Sequence, residues 1–76
     1  MAQQFSVRNN LRRHRRQMVE MTQQELADAV GVTRQTILSI ERGKYNPSVG
    51  LALKLASTLD ISVEDLFELD SEEDHD

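Results

Sequence analysis

The chain has 76 residues, no cysteine and a formal net charge of −4. That length makes one small domain, near the lower limit for a fold held by packing alone, and without cysteine neither a disulfide nor a thiolate zinc site stabilises it. No apolar run approaches ~18 residues and no charged-then-apolar leader opens the sequence, so the expectation is a cytoplasmic chain with no membrane span. The net charge conceals an asymmetry. Residues 1–47 hold eight Arg/Lys against four Asp/Glu, whereas residues 48–76 hold one against nine. A basic front and an acidic rear turn the first half of a molecule towards a polyanion.

Residues 1–6 read as a short polar arm, in which Ser6 can cap a helix and Phe5 either staples that helix or frays. Val7, Leu11, His14 and Met18 recur at i, i+4, i+7 and i+11 and predict a helix over 7–19 with these residues on one face. His14 on that face reads as a partly buried, hydrogen-bonded histidine rather than a metal ligand, because no second ligand lies near it in sequence. Arg12-Arg13-His14-Arg15-Arg16 is the most basic run of the chain. Such a run is ordinarily a solvated helix face, yet its place beside the motif that follows suits one or two phosphate contacts.

Thr22 and Glu25 form a capping box, in which hydroxyl and carboxylate satisfy free amides at a helix start. Leu26, Ala27 and Val30 follow at helical spacing, and Gly31 supplies the positive φ that ends the helix, predicted over 23–30. Thr33 caps a second helix, predicted over 34–42, whose inward positions are Ile37 and Ile40. Two short helices meeting at a glycine turn make a helix-turn-helix. Its second helix carries Arg34, Gln35, Leu38, Ser39 and Arg42 on the outer side, and arginine and glutamine in a first turn can hydrogen-bond base edges. Gly43 stops that helix and Pro47 forbids helix at the residue before it. Ser48 caps a helix predicted over 49–59, whose apolar stripe (Val49, Ala52, Leu53, Leu55, Ala56, Leu59) is too wide for one neighbour and marks it as the central packing element. Asp60 stands where a left-handed C-cap suits glycine. Ser62 with Asp65 starts a last helix, predicted over 63–69. Ile61, Val63, Leu66, Phe67 and Leu69 either close the core or face a second subunit. Residues 70–76 read as a solvated, disordered acidic tail.

The segment TQQELADAVGVTRQTILSIERGKYNPS, with the downstream VEDLF, resembles the small single-domain lambda-repressor-like (Xre-type) helix-turn-helix regulators. The resemblance runs from about Val7 to Leu69. It implies an all-α, five-helix domain that binds double-stranded operator DNA, usually as a symmetric dimer, here through residues 61–69. It also assigns roles. Arg34, Gln35, Ser39 and Leu38 match positions that look at bases, while Gln23, Thr33, Arg42, Lys44, Tyr45 and Asn46 match phosphate-gripping positions. An arginine of the first helix pairs with Glu41. Counting back from Met21 gives Arg16, whereas anchoring on the apolar face through Leu11 gives Arg15 and implies one extra residue near Val19-Glu20-Met21. Arg15 is preferred because the periodicity is internal. Glu20 occupies a turn where the family often has glycine.

The sequence lacks a glycine-rich phosphate loop, metal-ligand spacing and cysteine, and its notable serines and threonines sit at helix caps, so neither catalysis nor a cofactor or metal is expected. No small-molecule effector site is visible. The alternative is an antitoxin-type module that binds a partner protein as well as its own operator. The small extent of chain outside the domain favours a stand-alone regulator, and a neighbouring toxin gene would favour the alternative.

Overall fold

A computed structural model of the chain describes residues 5–71. Five helices and a two-stranded antiparallel sheet follow in the order β1 (Phe5–Asn9), α1 (Leu11–Arg13, continued by a π-helical turn His14–Met18), α2 (Gln23–Val30), α3 (Arg34–Glu41), α4 (Val49–Leu59), α5 (Val63–Leu66) and β2 (Phe67–Ser71). Residues 1–4 of the expected arm and 72–76 of the expected tail lie outside the described residues.

Side chains fix the helix boundaries. Thr22 Oγ1 accepts the Glu25 amide at 3.0 Å while Glu25 Oε1 accepts the Thr22 amide at 2.8 Å, closing the capping box. Thr33, Ser48 and Ser62 each accept an amide three residues on. At the other ends, Gly31 (φ 79°) and Asp60 (φ 57°) adopt left-handed conformations that let the chain turn sharply. Between α2 and α3 the amides of Gly31 and Val32 both donate to Ala27 O, which folds the turn back onto α2. The core is one cluster: Leu11, Leu26, Ala27, Val30, Ile37, Ile40, Leu55, Ala56, Leu59 and Leu66 are buried. Each fully buried leucine or isoleucine contributes about 1.5–3 kcal/mol of transfer free energy. Every helix supplies at least one, so no helix is optional.

Both ends of the chain depart from the helical expectation. The first helix starts at Leu11 rather than Val7, because residues 5–9 form β1. The last helix stops at Leu66 rather than Leu69, because residues 67–71 form β2. The strands pair with Val7 opposite Leu69, Arg8 opposite Glu68 and Asn9 opposite Phe67. Phe5 and Ser6 of the expected arm, and Asp70 and Ser71 of the expected tail, therefore belong to the sheet. Non-local backbone pairing outcompetes helix extension here. Asn9 and Asn10 hold the junction: Asn9 Oδ1 accepts the Leu11 amide, Asn9 Nδ2 donates to Ile40 O at 2.8 Å, and the Asn10 amide donates to Leu66 O at 2.9 Å.

The first helix also buries a different face. Leu11 is in the core, but Met18 is largely exposed and the fourth-turn apolar contact comes from Met21. The reason is the π turn: the Val19 amide donates to His14 O, five residues back, and the Met21 amide reaches Arg15 O. The extra residue expected in the turn is absorbed one turn earlier, and Glu20 (φ 59°) then reverses the chain. His14 is half-buried, and its ring makes no hydrogen bond among the described residues, contrary to the expectation. The stripe of α4 is only partly covered, since Val49 and Leu53 remain exposed. Of the apolar residues after Asp60, Leu66 is buried and Ile61, Val63 and Phe67 pack partly against the core, whereas Leu69 is 70% exposed.

Candidate nucleic-acid interface

The geometry of the site starts at Glu41, the last residue of α3. Its carboxylate accepts Arg15 Nε at 2.6 Å and Arg15 Nη2 at 3.2 Å, a bidentate pair whose side chains are only 8% and 4% exposed. Arg15 Nη1 also donates to Met21 O at 2.9 Å, and Gln23 Nε2 donates to Glu41 Oε1 at 3.0 Å. One carboxylate thus ties α1, the start of α2 and the end of α3 together. Arg16, the other candidate partner, is exposed. Arg15 lies four residues after the buried Leu11, so the helical period turns it inward, and the π turn shifts the register only after it. Gln23 uses one of its two N–H donors on Glu41, which leaves one for solvent or a ligand.

With Ile37 and Ile40 buried, α3 turns Arg34 and Gln35 outward into solvent and leaves Leu38 and Ser39 half-buried. The outward residues divide between two flanks. Arg34, Leu38 and Arg42, spaced four residues apart, line a groove of about 680 Å³ shared with Arg12 and Arg16 of α1 and with Thr22, Gln23 and Gln24. Thr33, Gln35, Thr36, Ser39, Lys44 and Tyr45 line a recess of about 270 Å³ on the other flank. Gly43 (φ 74°) makes this second recess possible, because it folds the chain so that the Lys44 amide donates to Ser39 O. Asn46 is exposed and lines neither flank. The structure therefore gathers every sequence-assigned residue except Asn46 around α3. Sequence reasoning left Arg12, Arg16, Gln24 and Thr36 out of the site, although the basic run at 12–16 pointed at two of them.

A short helix packed on a glycine turn, with a polar outer face between two polar grooves, defines a helix-turn-helix DNA-binding domain. The model of the helix-turn-helix family matches residues 12–66, and the chain belongs to this Xre-type family of DNA-binding transcriptional regulators. It is 57% identical over 53 residues to an uncharacterised HTH-type transcriptional regulator of Archaeoglobus fulgidus, covering 70% of this chain and 76% of the relative. It is 46% identical to another from Methanothermobacter thermautotrophicus, covering 87% and 96% respectively. Among solved structures it is similar to the restriction-modification controller protein C.AhdI from Aeromonas hydrophila, with a TM-score of 0.66 and 36% identity over 74% of this chain and 80% of that one. The family is one of regulators and not of enzymes. Among the described residues no helix is long and apolar enough to cross a membrane.

Proposed function

We propose that the chain is a cytoplasmic repressor that reads a palindromic operator in the major groove as a homodimer. The observation that carries this reading is the placement of Arg34 and Gln35, solvent-facing in the first turn of a helix whose opposite face is locked into the core. Arginine donates two parallel hydrogen bonds to guanine O6 and N7, and glutamine pairs with adenine N6 and N7. Ser39, one turn further, and Leu38, apolar enough for a thymine methyl, complete the reading face. Arg42, Lys44, Tyr45 and the Thr33 hydroxyl flank it and hold phosphates, as do Asn46 in the following loop and the Gln23 amide not given to Glu41. The dimer forms through residues 61–69. Its support is Leu69, exposed on a two-stranded ribbon of a kind that is marginally stable alone in water.

Selection of bound sequences from random duplex DNA tests the reading and returns the operator. Arg34→Ala or Gln35→Ala should then erode discrimination at one base pair per half-site by about 1–3 kcal/mol, with thermal stability nearly unchanged. Equal loss on operator and scrambled DNA would move Arg34 to the backbone contacts. A chain that sediments as a monomer at micromolar concentration, free and on DNA, would sink the dimer.

A further inference from the structure

We propose that Arg12 and Arg16 of α1 form a second phosphate-binding wall, which grips the DNA strand on the side of α3 opposite to Lys44 and Tyr45. This inference rests on the proposed insertion of α3 into the major groove and adds which strand each flank holds. Arg12 and Arg16 both line the groove beside Arg34, Leu38 and Arg42, and both also line an adjoining recess of about 320 Å³. The two hollows thus meet along these side chains as one path across α1. Glu41 is the one carboxylate lining either hollow among the described residues, and Arg15 at 2.6 Å neutralises it. The path is therefore cationic. Arg12 and Arg16 are exposed and make no ion pair or hydrogen bond through their side chains among the described residues, so their guanidinium donors are available.

Size decides what the path holds. A helix with its side chains is about 10–12 Å across and the major groove about 12 Å wide, so a helix seated there has a phosphate strand along each flank. On α3 one flank carries Arg34, Leu38 and Arg42 under the α1 wall, and the other carries Gln35 and Ser39 under Lys44 and Tyr45. The helical period puts the α1 wall in place. Arg15, four residues after the buried Leu11, turns inward to Glu41, and Arg12 and Arg16, four positions apart, share an exposed face.

The test uses the full chain, the selected operator duplex and a scrambled duplex of the same length. The variants are Arg12→Gln with Arg16→Gln, the same pair changed to lysine, and Lys54→Gln on α4 as a control for net charge. Losing two phosphate contacts in each protomer, four per dimer, should make the slope of log K against log salt shallower by about 3.6, equally on both duplexes. The lysine pair should restore most of it, and Lys54→Gln should change it little. Phosphate-ethylation interference should show two clusters in each half-site of the operator, one on each strand, of which the glutamine pair erases one per half-site. Failure of the wild-type chain to select any operator would remove the underlying reading. With an operator in hand, three results would each overturn the second wall: an unchanged slope, an unchanged interference pattern, or a loss confined to the operator.

Discussion

Two arginine–glutamate pairs in this domain have the same chemistry and opposite settings. Arg15–Glu41 joins α1 to α3 with side chains 8% and 4% exposed, whereas Arg8–Glu68 crosses the β1–β2 ribbon with side chains 63% and 46% exposed. In the first, water is excluded and every donor is aimed: two guanidinium nitrogens and the Gln23 amide converge on one carboxylate. In the second, one contact of 3.3 Å is shared with solvent. A buried pair is poor evidence of net stabilisation, since desolvating both ions offsets much of their attraction. Its effect is on geometry, because each ion left alone is far costlier than the pair. Glu41 therefore fixes where the outer face of α3 stands relative to α1, while Glu68 trims the edge of a ribbon.

The largest effect is expected where this contrast is sharpest. Glu41→Ala or Arg15→Ala leaves an unpaired buried charge and should cost about 3–5 kcal/mol in chemical denaturation. Replacing both by apolar residues of similar volume should recover most of that stability. The double variant should still bind operator poorly, since the α1–α3 register is no longer imposed. Full operator affinity in the double variant would show that core packing alone positions α3. Next comes Asn9, which belongs to both regions: its carboxamide accepts the Leu11 amide and donates to Ile40 O. Asn9→Ala should cost about 1–3 kcal/mol, because it orphans the Leu11 amide at the start of α1 and removes one of the two hydrogen bonds of Ile40 O, which keeps the Gly43 amide at 2.9 Å. Equal loss of amide hydrogen-exchange protection in β1 and α3 would show that one side chain couples ribbon and core.

The helix-turn-helix was legible because its signals are local. Thr22, Glu25, Thr33, Ser48 and Ser62 act on amides three residues away, and Gly31 acts on its own backbone. The ribbon was not, because β1 and β2 pair residues about sixty positions apart. The spacing of Val7, Leu11, His14 and Met18 suggested one continuous helix, yet Val7 lies in a strand and Met18 faces solvent. A signal was present in Phe67-Glu68-Leu69-Asp70, which alternates apolar and acidic residues as a strand does. The strong cap at Ser62 masked it by announcing a helix whose length it does not determine. At the site, the outward face of α3 followed from its period, as did the inward turn of Arg15 four residues after Leu11, whereas no short-range pattern in 14–18 announces the π turn that exposes Met18.

Backbone strain sharpens the comparison from another direction. Glu20 adopts φ 59° in the turn that delivers Met21 to Arg15 and the core. A residue with a side chain costs roughly 1 kcal/mol more than glycine in that conformation. Glu20→Gly should therefore raise stability by up to about 1 kcal/mol, less whatever the glycine gains in unfolded-chain freedom. A melting temperature that falls would mean that Glu20 makes a favourable contribution beyond its backbone.

The smallest effect is expected at the ribbon pair, and it is informative for being small. Glu68→Gln keeps the shape of the side chain and the backbone pairing of β2 while removing the charge opposite Arg8. With both partners more than two-fifths exposed, solvent and salt screen their attraction, so the cost should stay below about 1 kcal/mol and fade as salt is raised. Exposed pairs of this kind bias register more than they hold structure, because shifting either strand by one residue would turn its side chains to the opposite face. The measurement is denaturation of Glu68→Gln and the parent chain at low and high salt, with β1 amide exchange followed in parallel. A salt-independent loss of several kcal/mol would contradict the exposed setting of this pair. The ribbon would then share the energetic character of the Arg15–Glu41 junction, and the distinction between an anchoring pair and a trimming pair would fail for this domain.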